Sequence, residues 1–140
     1  MATRFFFLEQ NISLTRRGTL KEFIENLFVK EKKKLIELTY IFCSDEYLLQ
    51  INRTHLKHDY YTDIITFDLS ESPKATIGEI YISIERVREN AAKLGVSIKE
   101  ELHRVIFHGA LHLCGYKDKT KSEEIKMRQA EERYLSAYFQ

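Results

Sequence analysis

From Ser97 to Asp118 the sequence requires one helix both to pack against a core and to carry two imidazoles at the core's edge. Leu102, Val105, Ile106, Gly109 and Leu113 recur at helical spacing and form one apolar stripe. Ser97, with Glu100 three residues on, is a helix-start pair: a hydroxyl that caps the first turn and a carboxylate placed to reach back. His108 and His112 stand four apart at the border of the stripe, so their rings lie one turn above each other on the same face. Gly115 offers a stop, because a glycine just past the last turn takes the left-handed conformation without a Cβ penalty. The chain that turns there can bring Asp118 back beside the two histidines.

Two imidazoles and a carboxylate are a zinc ligand set, and three protein ligands leave a fourth position for water, the arrangement of a catalytic ion. His108, His112 and Asp118 are therefore expected to be the catalytic, metal-ligating residues for one Zn2+ ion. The usual zinc-protease signature has a Glu directly after the first His as general base; here that position is Gly109, which disfavours a peptidase. Two histidines at this spacing on an arbitrary helix are more often surface groups, and the glycine turn with its aspartate favours the metal reading. Lys119 is protonated near neutrality and offers no lone pair. Cys114, two residues after His112, points elsewhere around the helix and reads as a buried thiol.

The 140 residues suit a single domain, with one Pro and no Ser/Gly-rich linker or repeat to divide them. Strands are expected over Arg4–Leu14, Leu35–Cys43, Ile64–Leu69, with Ile65, Phe67 and Leu69 on one face, and Gly78–Ile84. Helices are expected after Thr19 (Leu20, Phe23, Ile24, Leu27 and Phe28 inward), from Ser44 to about Leu56, over Glu85–Leu94 with Gly95 as its end, from Ser97, and over Ser122–Phe139. On the last helix Met127, Ala130, Tyr134 and Tyr138 face inward, and Glu131 falls on or near that stripe. A carboxylate there would support a metal-bound histidine from behind, or else pair with an arginine. The pattern predicts an α+β fold: a single domain over residues 1–140, an about four-stranded mixed sheet covered by about five helices, and the metal site on a helix of the C-terminal half.

A formal net charge of +1 argues against bulk electrostatic wrapping of nucleic acid, though a local patch remains open to Lys117, Lys119 and Lys121 around Asp118. Lys30–Lys34 reads as a solvated helix end. The apolar run Phe5–Leu8 is far too short for a signal h-region or a membrane span, and Cys43 and Cys114 form no C-x-x-C motif. These features predict a cytoplasmic protein with no membrane partner.

The run His108-Gly109-Ala110-Leu111-His112-Leu113-Cys114-Gly115-Tyr116 resembles the H-G-x-L-H-L-x-G-Y core of the YbeY family of metal-dependent endoribonucleases. Thr62-Asp63-Ile64-Ile65-Thr66-Phe67 is similar to that family's T-D-V-L-S-F strand, and Gly78-Glu79-Ile80 to its G-D-I. Asn52, Met127 and Glu131 also fall in the family pattern, so the likeness runs from about Leu48 to Leu135. It implies a single-strand-specific endoribonuclease in ribosomal RNA maturation and ribosome quality control, with zinc as metal and the ribosome or its associated proteins as partners. Two positions depart. Where the family continues G-Y-D-H this chain has Gly115-Tyr116-Lys117-Asp118, so that Asp118 takes the third ligand position. Where the family carries a basic residue before the T-D strand this chain has Leu56, with Arg53 and Lys57 close enough to substitute. With these two, His58, Lys117 and Lys119 are the candidate RNA contacts, and Tyr60 and Tyr61 are candidates for stacking on unpaired bases. Two other readings share the ligands: a zinc hydrolase of other substrates, and a non-catalytic ribosome-associated metal-binding module.

Overall fold

Strand β2 (Leu35–Cys43) is the spine of the structure, a computed structural model that describes residues 2–140. Its alternation sends Leu38, Tyr40 and Phe42 to one face of the sheet and Ile41 and Cys43 to the other, and all five are buried. β1 (Thr3–Phe7) and β4 (Thr76–Ser83) flank it in parallel, and β3 (Ile64–Asp68) closes the far edge antiparallel to β4, giving the order β1-β2-β4-β3. The sheet is thus mixed, as its pattern predicts. Helices α1 (Arg17–Lys30), α3 (Ile84–Leu94), α4 (Ile98–Leu113) and α5 (Lys121–Tyr138) share the main core with the Leu38–Tyr40–Phe42 face. α2 (Asp45–His55) covers a smaller cluster on the other face, where Leu48 meets Cys43 and Ile65. No helix among the described residues is long and apolar enough to cross a membrane.

α4 is the helix at the centre of the main core, touching α1, α3, α5, β3 and β4. Ten of its residues are buried, including the expected stripe of Leu102, Val105, Ile106, Gly109 and Leu113. The hydroxyl of Tyr40 donates to the carbonyl of Ile106 at 2.7 Å, which satisfies a phenol that would otherwise be stranded in the core. Gly109 is where helix and sheet come closest: a Cβ there would lie 2.8 Å from Ile80 Cδ1 and 3.0 Å from Ile64 Cδ1. Only a residue without a side chain allows α4 to sit this near β3 and β4.

Several boundaries differ from the sequence expectation, each for a local reason. β1 ends at Phe7, short of the expected Leu14, and Glu9 turns the chain with a left-handed φ of 52°. α1 begins at Arg17, before Thr19, with Arg16 in the left-handed region ahead of it and Gly18 inside the first turn. Ile84 opens α3, not the end of β4, because Ser83 caps the helix through the Arg86 N–H. β3 stops at Asp68; Leu69 is exposed and Ile65 lies under α2, while Ile64 packs into the main core. Ser97 caps α4 as expected, but Glu100 lies 3.7 Å from Arg104 and does not close the box. The reciprocal box forms instead at Thr120 and Glu123, where α5 starts.

The close approach at residue 109 makes its effect on stability predictable. Gly109→Val should destabilise the fold by about 2 kcal/mol or more, since overpacking exceeds the ~1 kcal/mol that a helix gains on losing an interior glycine. Urea unfolding checks this as a lowered midpoint with an unchanged slope.

Candidate metal centre

The turn after α4 builds the site. Gly115 takes a φ of 106°, its N–H bonds the His112 carbonyl, and the Tyr116 N–H reaches back to the Leu111 carbonyl, each at 3.0 Å. This reversal carries Asp118 over the exposed edge of the last helical turn. Asp118 Oδ2 lies 3.3 Å from His108 Nε2 and 3.2 Å from His112 Nε2, and the three donor atoms fall within 4.8 Å of one another. Two ligands about 2.1 Å from a tetrahedral ion stand about 3.4 Å apart, so the observed spacings fit one small divalent cation.

The remaining ring nitrogens decide which lone pairs face that point. His112 Nδ1 lies 3.0 Å from the Tyr116 carbonyl, which only accepts, so Nδ1 carries the proton and Nε2 is left unprotonated in the neutral ring. His108 Nδ1 donates to Glu131 Oε2 at 2.6 Å from α5, with the same result. Burial alone would depress the His108 pKa, but the Glu131 hydrogen bond and the charges of Glu131, Asp118 and Asp63 outweigh it and raise the pKa above its usual value. Glu131 itself is 5% exposed, and its Oε1 lies 3.5 Å from Arg104 Nη1. Glu131 thus meets a histidine through one oxygen and an arginine through the other.

The three donors open onto a cleft of about 800 Å³ between α4, β3, α5 and the α2–β3 connection. Of the five residues named as RNA contacts, His58 lines this cleft. Arg53 is turned to Asp59 in an exposed ion pair. Lys57 sits in the connecting turn with a left-handed φ of 56°. Lys117 lines a separate shallow groove with Cys114 and Lys126, and Lys119 lies at the exposed start of α5, its backbone N–H held by Glu123. The cations that do line the cleft are Lys93, Arg104 and Arg128, none of which stood out in the sequence. Arg104 had a signal, because it precedes His108 by four and follows Glu101 by three, on the same helical face. Lys93 and Arg128 had none, since α3 and α5 reach the cleft only through tertiary packing.

Leu56 also lines the cleft, as do Tyr60, Asp63 and Asn90, whereas Tyr61 lies outside it and donates to Glu46. Burial raises the Asp63 pKa against the opposing charge of His108, and burial likewise raises that of Glu101, with Asp63 and Glu131 adding to the effect. Cys114 is a buried thiol pushed up to about 12 by burial and by Glu31, and it takes no place among the donors.

The family model described as endoribonuclease YbeY matches residues 7–139. A protein of Cytophaga hutchinsonii named endoribonuclease YbeY is 53% identical over 96% of this chain and 94% of its own length. One of the same name from Porphyromonas gingivalis is 47% identical over 92% of this chain and 86% of its own length. A Thermotoga maritima protein whose structure was solved in solution is 27% identical, superposes with a TM-score of 0.65, and covers 98% of this chain and 89% of that one.

Two outcomes follow from the donor geometry. Asp118→Ala should lose stoichiometric metal while Asp118→His retains it, and Glu131→Gln should weaken affinity about 10- to 100-fold by loosening the His108 ring; metal titration followed by elemental analysis reads all three. Metal must displace the proton that the raised His108 pKa favours, so apparent affinity should fall as pH drops through that value, with proton release on binding. Calorimetry in buffers of different ionisation enthalpy measures that release.

Proposed function

The chain belongs to the YbeY family of endoribonucleases, metal-dependent hydrolases of phosphodiester bonds, and within it we propose a single-strand-specific enzyme of ribosomal RNA maturation that uses one zinc ion. The observation that carries this reading is the pair of tethered rings: Glu131 and the Tyr116 carbonyl hold both Nδ1 protons, so that both Nε2 atoms converge on Asp118. Two imidazole nitrogens and a carboxylate oxygen favour zinc by ligand type. When bound, such an ion supplies a Lewis acid for a phosphoryl oxygen and brings the pKa of a coordinated water toward neutrality.

The chain's own residues do the rest. His108, His112 and Asp118 form the catalytic ligand set, and Asp118 contributes negative charge where a third imidazole would contribute none. Lys93 and Arg128 line the cleft with largely exposed side chains, each near one carboxylate, Glu89 and Glu131, and within the cleft they are the cations that would meet phosphates of the bound strand. Arg104 is nearly buried among Glu100, Glu101, Glu131 and Glu132 and acts as a positioning residue for Glu131. Arg53, Lys57, Lys117 and Lys119 are left to RNA flanking the cleft. The whole of residues 1–140 serves as one metallohydrolase domain, in the cytoplasm and with the ribosome or its associated proteins as partners.

Cleavage of a single-stranded ribosomal RNA fragment by the zinc-loaded protein tests this reading. His112→Ala should abolish metal retention and cleavage together, and casein should remain intact. Lys93→Ala and Arg128→Ala should each flatten the log–log salt dependence of RNA binding by about one. Salt-independent binding, or casein cleavage requiring the same metal, would overturn it.

A further inference from the structure

Strand β3 is an edge strand, and its free edge faces the cleft. The Ser83 N–H bonds the Asp63 carbonyl at 2.9 Å and the Leu69 N–H bonds the Ile77 carbonyl at 2.8 Å. In an antiparallel pair, hydrogen-bonded and non-bonded residue pairs alternate, so Asp63, Ile65, Phe67 and Leu69 turn their backbone groups toward β4. Ile64, Thr66 and Asp68 therefore turn their N–H and C=O groups the other way. Among the described residues these outward groups have no backbone partner, and the one side-chain contact is a long one, from Thr62 Oγ1 to the Ile64 carbonyl at 3.4 Å. All three residues line the cleft with His108 and His112.

An unpaired edge is a row of alternating donors and acceptors, and proteins ordinarily cover or charge one. Here it runs beside three convergent metal-ligating groups. A second observation lies on the strand itself: the buried hydroxyl of Thr66, which lines the same cleft, has no hydrogen-bond partner, whereas the buried Oε1 of Glu101 faces Arg104 Nε at 3.5 Å. His58 and Tyr60 contribute a stacked ring pair to the lining, with centroids 5.2 Å apart and planes 20° from parallel.

We infer that the β3 edge reads the Watson–Crick edges of unpaired bases next to the scissile phosphate, through the outward peptide groups of Ile64, Thr66 and Asp68. A carbonyl and the next outward N–H, two residues on, form an acceptor–donor couple of the kind a base edge complements. In a duplex that base edge is already occupied, so the strand edge selects for single strands without any sequence-specific side chain. The inference rests on the endoribonuclease reading above. Nucleic acid is the occupant rather than an added peptide strand because Lys93 and Arg128 flank the edge with phosphate-binding charge and the His58–Tyr60 pair provides a stacking surface.

The test uses the zinc-loaded protein and short single-stranded RNAs that differ by one methyl group at the base beside the cut. N3-methyluridine blocks the Watson–Crick edge, while 5-methyluridine adds the same bulk away from it. Cleavage efficiency (kcat/KM) should fall about tenfold for the N3-methyl substrate, the loss of one or two hydrogen bonds, and stay within about twofold for the 5-methyl one. Thr66→Pro removes one outward N–H and leaves the β4 ladder intact, so it should narrow the gap between the two substrates. Equal cleavage of both methylated RNAs, or equal loss on both, overturns the inference while leaving the endoribonuclease assignment in place. So would an extended peptide that competes with RNA while methylation has no effect. Failure to cut unmodified RNA or bis(4-nitrophenyl) phosphate would overturn the underlying reading as well.

Discussion

Helix α4 lies against β3 and β4 with no room for a side chain at residue 109, and the arrangement of the site depends on that approach. With the helix this close, Val105 and Leu113 are buried on one side while His108 and His112 keep a partly exposed border. The same approach brings the edge of β3 alongside the two imidazoles. A larger residue at 109 would push helix and strand apart and separate the donors from the cleft they serve. Close packing here therefore acts on chemistry through position, because a core is dense enough to transmit a shift of a few tenths of an ångström.

Buried charge around the centre is arranged so that few members stand alone. Glu131 meets His108 on one oxygen and Arg104 on the other, and Arg104 in turn lies near Glu100, Glu101 and Glu132. A network of this kind adds little net stability over an apolar core, since desolvation offsets much of the Coulombic gain. Its value lies in orientation: an imidazole whose far nitrogen is tied has one tautomer and a restricted swing. The exception is the pair of Glu101 Oε1 and Arg104 Nε, which lie 3.5 Å apart without a hydrogen bond.

Asp118 gives this member of the family a carboxylate where the motif it resembles continues to a third histidine. The Gly115 turn sets Asp118 within 3.3 Å of both imidazoles, and a carboxylate there brings negative charge that an imidazole would not. Leu56, in the position of an expected basic residue, lines the cleft as an apolar group, and Arg104, Arg128 and Lys93 provide positive charge from α4, α5 and α3. The positive charges of the cleft thus come from three consecutive helices and stand among the carboxylates of Asp63, Asp68, Glu101, Asp118 and Glu131.

The sequence by itself determined whatever depends on short-range periodicity and turn chemistry: the four strands and five helices, the stop at Gly115, the two imidazoles on one helical face, and Asp118 returning beside them. Each follows from residues within one or two turns of one another. Helix starts at Arg17 and Ile84 were less legible, because a left-handed Arg16 and the serine cap at the end of β4 leave no strong periodic mark. Tertiary structure alone decided which oxygen reaches His108, which cations line the cleft, and that β3 lies at an edge with Ile64, Thr66 and Asp68 turned outward. Those facts depend on strand order and on the packing of α3 and α5 against α4, which bring together residues more than twenty positions apart. The sequence pattern of a strand specifies which side chains face the core, and only its pairing partner specifies which peptide groups remain free.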